Sequence, residues 1–337
     1  MRLDEDMADP EGRVGWGVVS TGHIASTFAG DLALLTDQAA LVAVSSRNVD
    51  NAREFADRHG FARAYGSAEE LAADPDVNVV YVASIHSDHF RSATLCLEAG
   101  KAVLVEKPLT TSAADSTELI ATAERSGAFL MEAMWTRTHP LIRKAAEVVA
   151  SGELGEIRHV SANFGFAFNG PETHRLLDPL QAGGAILDAG VYPVHAVNLF
   201  LGSPTEVAGF GSLTRTGVDG HAAAVLNHPA TESRPAATAS VISSLESALP
   251  TSLEVFCTQG RIVIDHFFIL AERMLIFRDA DPDPEELVTQ WPGAGYTFEA
   301  QEVMRCLRSG ERESPLVPWA DTLAVAHVLD RWRALIR

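Results

Sequence analysis

The stretch Val14-Gly15-Trp16-Gly17-Val18-Val19-Ser20-Thr21-Gly22-His23-Ile24-Ala25 decides the fold. An apolar run ends in small residues, and helical spacing starts directly after it at Ile24, Phe28, Leu32 and Leu35. Strand, tight turn and helix is the order of a dinucleotide-binding unit. Residues 20–25 fit G-x-G-x-x-G/A at its second and third glycine positions, with Ser20 in the first. Gly22 lets the backbone approach a pyrophosphate, and Ala25 lets the helix pack closely on the strand. The N–H groups of the first helical turn then face phosphate, so Ser20, Thr21, Gly22, His23 and Ile24 are the expected phosphate turn. Ser20 weakens the match, because a serine bonds phosphate but does not make every glycine turn.

Alternation continues outward from this unit. Ala40–Ser46 reads as a strand, Asp50–His59 as a helix stopped at Gly60, and Val77–Ser84 as a strand buried on both faces. His86–Ala99 reads as a helix, Lys101–Val105 as a strand, Ser112–Ser126 as a helix and Ala128–Met131 as a sixth strand. Such alternation means right-handed crossovers and a parallel sheet. After Trp135 the pattern changes. A helix at Pro140–Ala150 precedes strand-like runs at 158–168, 205–213, 237–244, 252–258 and 261–264, and helices at 298–308 and 322–337 close the chain. The fold class is therefore α/β: a Rossmann dinucleotide-binding domain over 13–134, then an α+β domain over 135–337 with a large, mostly antiparallel sheet. Asn227–Ala237 reads as a long surface turn.

Composition narrows the functions. The 337 residues hold 26 Lys+Arg against 45 Asp+Glu, a formal charge of −19, which disfavours nucleic acid and anionic membrane as partners. A hydrophobic content of 47% excludes general disorder. Three cysteines are too few for a disulfide framework, and the 12 histidines show no metal-ligand spacing. No apolar run reads as a membrane span. Residues 1–12 are acidic, lack the basic start of a signal peptide and read as a disordered tail, so the expected location is the cytoplasm.

The end of the second strand chooses the cofactor. An NAD site places an acid there for the ribose 2′-hydroxyl. This chain has Ser45-Ser46-Arg47-Asn48, and hydroxyls with a guanidinium suit a 2′-phosphate, so NADP is expected on Ser46 and Arg47, with NAD less favoured. The bland alternative is an Arg47 that merely sits at a strand end. A second signal is Glu106-Lys107-Pro108-Leu109 at the C-terminal edge of a parallel strand, where ligands bind in open α/β sheets. Pro108 fixes the chain and permits a cis bond that would aim Lys107 inward. A third is Gly183-Gly184-Ala185-Ile186-Leu187-Asp188-Ala189-Gly190-Val191-Tyr192-Pro193-Val194-His195. A helix starting near Val191 puts Tyr192 and His195 on one face, with Asp188 just ahead. Taken alone, these read rather as a capping Asp, a half-buried Tyr and a satisfied His.

Together these stretches resemble the glucose–fructose oxidoreductase, inositol dehydrogenase and rhizopine-catabolism (Gfo/Idh/MocA) family, and within it the branch of dimeric dihydrodiol dehydrogenases and NADP-dependent D-xylose dehydrogenases. The resemblance runs from Arg13 to the C-terminus. It includes Phe129-Leu130-Met131-Glu132-Ala133-Met134-Trp135-Thr136-Arg137, Gly295-Tyr296-Thr297-Phe298-Glu299-Ala300 and Ser314-Pro315-Leu316. Ser20 is what this branch shows at that position.

The resemblance implies that Lys107 is the catalytic lysine of the Glu-Lys-Pro motif, that Asp188 and Tyr192 are catalytic, and that Glu106, His86 and His89 belong with the cofactor. It places Trp135 and Arg137 near substrate or a dimer interface. His195 stands where many relatives carry an Asp, and its role stays open. The open face of the second sheet is the implied surface for a homodimer or higher oligomer.

The expected reaction is hydride transfer between NADP and a secondary alcohol of a sugar or cyclic diol. Tyr192 would act as general acid/base, and Lys107 would lower its ordinary pKa of ~10. Asp188 would orient the substrate or Lys107. A non-catalytic NADP-binding regulator and an inositol or other sugar dehydrogenase are the rivals. Phe164, Phe166, Phe168, Phe267 and Phe268 could face substrate, but most read better as core.

Overall fold

The computed structural model describes residues 12–232 and 234–336, so the expected tail lies, up to residue 11, outside the described residues. The first sheet comprises β1 (Val14–Val19), β2 (Ala39–Ser45), β3 (Arg63–Tyr65), β4 (Val79–Val82), β5 (Ala102–Glu106) and β6 (Leu130–Ala133). Its order is β3-β2-β1-β4-β5-β6 and every pair is parallel. Strand order reverses between β1 and β4, which opens a crevice at their C-terminal ends. The strands read as apolar runs because helices cover both faces: β1, β4, β5 and β6 are buried throughout. Helix ends follow local chemistry. Asn48 Oδ1 accepts the Asp50 N–H at the start of Val49–His59, and Gly60 ends that helix at a left-handed φ of 84°.

Two compact units divide the chain near Trp135. The first runs to Thr110 and adds Ala114–Trp135 and Trp291–Trp319; the second holds Thr111–Ala113, Thr136–Gln290 and the residues from Ala320 onward. The return of Trp291–Trp319 to the first unit differs from a division with everything after 134 in one domain. Its anchor is Asp31, whose Oδ1 and Oδ2 accept the Ala294 and Tyr296 N–H groups, each at 2.7 Å. Gly293 must be glycine there: its φ is +68°, and a Cβ would lie 2.1 Å from Asp31 Oδ1.

The second unit holds a mixed, mostly antiparallel sheet of β7 (Ile157–Gly165), β8 (Glu206–Leu213), β9 (Asp219–His228), β10 (Ala237–Ser244), β11 (Leu253–Cys257), β12 (Gly260–Ile264), β13 (Arg273–Arg278) and β14 (Glu285–Val288). Its order is β14-β13-β12-β11-β7-β10-β9-β8, with β7–β10 parallel. β9 takes residues 219–228, so the surface turn expected to begin at Asn227 begins after His228. Helix Val191–Leu201 packs on β7 and β10. Against expectation, one helical stretch, Pro179–Leu201, is long and apolar enough to cross a membrane; its apolar window is 89% buried, as a core helix is. Phe210 on β8 and Val288 on β14, the two edge strands, are exposed, as is Val225 on β9.

Candidate active site

The nucleotide turn begins at Ser20, which takes a left-handed φ of 98°. Such a φ costs a non-glycine residue of order 1–3 kcal/mol, and the surroundings must hold it. The Ser20 N–H donates to Ser45 O at 2.9 Å, and Ser20 Oγ accepts the Gly22 N–H at 3.2 Å. Gly22 caps helix His23–Leu32 without any side-chain bond, so the first helical turn is not closed by a protein side chain.

A cleft of about 480 Å³ opens at the ends of β1, β2 and β4. Ser20, Thr21, Ser46 and Arg47 line it, which brings four of the expected cofactor residues together. Arg47 is exposed, and among the described residues it has no salt-bridge partner. Two acids share the cleft, Glu69 and Asp88. Arg91 faces both, at 3.6 and 3.2 Å, and offsets their charge. Gly22, His23 and Ile24 stand at the helix start rather than on the cleft wall.

His86 and His89 are buried and do not line this cleft. Their rings meet edge-on at 5.7 Å. His89 Nδ1 lies 2.9 Å from Pro108 O and Nε2 lies 3.1 Å from Ser84 O. Both partners are carbonyls, whereas a neutral imidazole has one donor. Burial pushes the His89 pKa down, which favours the neutral ring. His89 therefore ties the end of β4 to the turn after β5.

Glu106 also points inward. Its Oε1 accepts a bond from the Tyr81 hydroxyl, and Oε2 accepts the Lys107 N–H at 3.1 Å. Tyr81 is fully buried and stacks on Phe28 at 3.9 Å between ring centroids. The Lys107–Pro108 peptide is cis, and Lys107 is half-buried. Trp135 stacks on Tyr296, ring centroids 4.5 Å apart.

In the second unit, Asp188 lies on a π-helical turn, Ile186–Gly190, that runs straight into helix Val191–Leu201 with Tyr192 and His195. The three expected residues thus share one continuous helical segment, and all are buried. A Cβ at Gly183 would meet Leu176 O at 2.5 Å and Arg175 O at 2.7 Å, so the glycine lets the 175–177 turn press on the segment's start. Asp219 caps that start, its Oδ2 accepting the Ile186 N–H at 2.6 Å. Phe164 meets Tyr192 edge-on at 5.5 Å and Phe267 at 6.5 Å. Phe268 is core, and Phe166 and Phe168 pack on Leu176, Ala185 and Leu245. Arg137 is only 3% exposed and pairs with Asp321 at 2.6 Å, so its side chain is a buried strut.

Sequence reasoning places Arg175 only at the end of a loop, 164–175, expected to build the pocket, and it misses Asp219 and Glu299: Asp219 opens an unread strand, and Glu299 lies within a stretch read only as a family resemblance.

The profile of the oxidoreductase family with an NAD-binding Rossmann fold, GFO/IDH/MocA, matches residues 14–134, and that of the GFO/IDH/MocA C-terminal domain matches residues 142–263. The chain is 36% identical to trans-1,2-dihydrobenzene-1,2-diol dehydrogenase of Mus musculus over 95% of this chain and 96% of the relative. Among solved structures, a 3-ketoreductase from Actinomadura kijaniata with NADP and TDP-benzene is 27% identical with a TM-score of 0.81, covering 96% of this chain and 98% of the other. The aldose–aldose oxidoreductase of Caulobacter crescentus, at 23% identity, covers 96% of this chain and 97% of its own, and shares the fold with a TM-score of 0.85.

Proposed function

Because this chain belongs to the Gfo/Idh/MocA family of oxidoreductases, we propose that it moves hydride between NADP and a secondary alcohol of a sugar or cyclic diol. It is an NAD(P)-dependent oxidoreductase acting on CH–OH groups. One observation carries NADP over NAD. Arg47 stands on the cleft wall without a described ion-pair partner, beside Ser46, at a strand end that carries no acid.

The cleft residues fit the cofactor. Ser20, Thr21, Gly22, His23 and Ile24 would hold the pyrophosphate at the helix start, and Ser46 and Arg47 the 2′-phosphate. When bound, NADP⁺ supplies the hydride acceptor. Tyr192 takes the hydroxyl proton of the alcohol, and returns it in the reverse direction. Lys107 supplies the positive charge that makes the phenolate accessible and donates to the substrate hydroxyl. Asp188 orients the substrate. His89 and Glu106 fix the backbone on either side of Lys107. The open face of the eight-stranded sheet is the proposed contact between copies of the chain, and the cytoplasm the proposed location.

The test is reduction of NADP with D-xylose, D-glucose, myo-inositol and trans-dihydrodiols as alcohols, run beside Tyr192→Phe. Turnover with one of them, cut by roughly 10²–10⁴ in the variant while NADP still binds, is the expected result. NADP binding without reduction of NADP by any alcohol would favour a regulator instead.

A further inference from the structure

Arg175 makes an ion pair with the segment that carries Tyr192. Its Nη1 lies 3.2 Å from Asp188 Oδ1. The Asp188 side chain is 9% exposed and that of Arg175 is 40% exposed, so the carboxylate is inside and the guanidinium closes over it. The pair is held from both ends. His174 Nδ1 accepts the Leu176 N–H at 3.3 Å, and Leu176 O accepts the Gly184 N–H at 2.9 Å. The close approach at Gly183 then seats the Arg175 turn on the segment that carries Asp188.

The electrostatic consequence follows from spacing. Asp188 precedes Tyr192 by four residues on one helical segment, and a bare carboxylate there opposes formation of a phenolate. Lys107 is the cation that the proposed mechanism sets against Tyr192, whereas Arg175 is set against Asp188 itself. β10 carries no ionisable side chain. On β7, Arg158 donates to Ala236 O, and His159 bonds to Thr238 and Ser240. Asp219 caps the first turn and adds a carboxyl, faced by the charge of Arg333. Helix Val191–Leu201 contributes His195.

We propose that Arg175 is a positioning residue: it fixes the Asp188 carboxylate and compensates its charge, so that Tyr192 can give and take a proton beside it. This rests on the reading of Tyr192 as the acid/base group, and the experiment separates the two.

The chain has four tyrosines, Tyr65, Tyr81, Tyr192 and Tyr296, so an ultraviolet phenolate titration of the full chain, minus that of Tyr192→Phe, isolates Tyr192 without any substrate. Arg175→Met should raise that midpoint by about one unit. Arg175→Lys should leave it nearly in place, and in an Asp188→Asn background Arg175→Met should no longer move it. If Arg175→Met does not fold, Asp188→Asn carries the test alone: an unchanged or raised midpoint overturns the proposal, a lowered one supports it. An unshifted midpoint in folded Arg175→Met overturns it as well. Wild-type turnover in Tyr192→Phe would instead overturn the reading of Tyr192, whatever Arg175 does to the midpoint.

Discussion

His89 Nδ1 lies 2.9 Å from the carbonyl oxygen of Pro108, across a buried contact nineteen residues apart in sequence. The same ring reaches Ser84 O with Nε2. One imidazole thereby joins the end of β4 to the turn that carries Lys107. His89→Phe keeps a ring but removes every donor, and leaves a buried carbonyl unsatisfied at a cost of about 1–3 kcal/mol. The expected outcome is a lower urea midpoint by that amount and a reduced kcat, with NADP affinity little changed because His89 does not line the cleft. Wild-type stability in the variant would show that the ring is passive filling.

Asp219 gives stability a pH dependence whose sign can be stated. Burial raises its pKa to about 6, against an ordinary value of 3.8, despite the Ile186 and Ala185 amides it accepts. A carboxyl with a raised folded-state pKa favours the fold below its unfolded value, and that contribution is lost as pH rises through the folded one. Asp219→Asn keeps an acceptor for the Ile186 N–H and cannot ionise. Relative to wild type, the variant should therefore gain up to about 3 kcal/mol between pH 4 and pH 7, read from urea unfolding at both. A difference that does not change with pH would mean that Asp219 ionises as freely in the fold as outside it.

The parts legible in the sequence were those where local pattern and tertiary role coincide. β1, β4 and β5 are buried on both faces and read as apolar runs; Pro140–Ala150 has a proline at its first turn and reads to the residue. β3 is three residues, Arg-Ala-Tyr, with no pattern to find. β9 carries a run of three alanines and a single β-branched residue, Val225, so little marks it as a strand, and Asp219 was hidden with it. The turn at residues 20–25, the strand-end position of Arg47 and the Asp188–Tyr192 segment were legible as local structure because each sits at an element boundary with its own spacing. Asp31 was not: its two bonds reach amides 263 and 265 residues away, and nothing local announces them.

Glu299 is a buried acid with no part in the proposed mechanism. It is 0% exposed, and neither carboxyl oxygen has a hydrogen-bond partner among the described residues. Burial first, then the charges of Glu106 and Asp31, push its pKa well up, so it is held as the neutral acid. By the same sign argument its contribution to stability is present at low pH and lost as pH rises through the raised value. Glu299→Gln matches its shape and its neutral state. The melting temperature should stay near that of wild type at neutral pH, and the variant should lose less stability toward alkaline pH. A large destabilisation of Glu299→Gln at neutral pH would mean that the native side chain is ionised there.

Arg47 offers the sharpest test of cofactor choice, because its charge is exposed and has no partner among the described residues to complicate removal. A guanidinium bonding a phosphate contributes about 1.5–3 kcal/mol, which converts to roughly 10–100-fold in affinity. Arg47→Asp removes that bond and adds a like charge beside the 2′-phosphate, so the KM for NADP should rise by at least that factor. NAD carries a hydroxyl there, which an aspartate can accept from, so the KM for NAD should hold or fall. The contact is also at the surface, where salt screens over about 10 Å at 0.1 M. NADP affinity in wild type should therefore weaken as salt is raised, and Arg47→Asp should lose most of that dependence. Equal effects of the substitution on both cofactors, or a salt dependence that survives it, would take the 2′-phosphate away from Arg47.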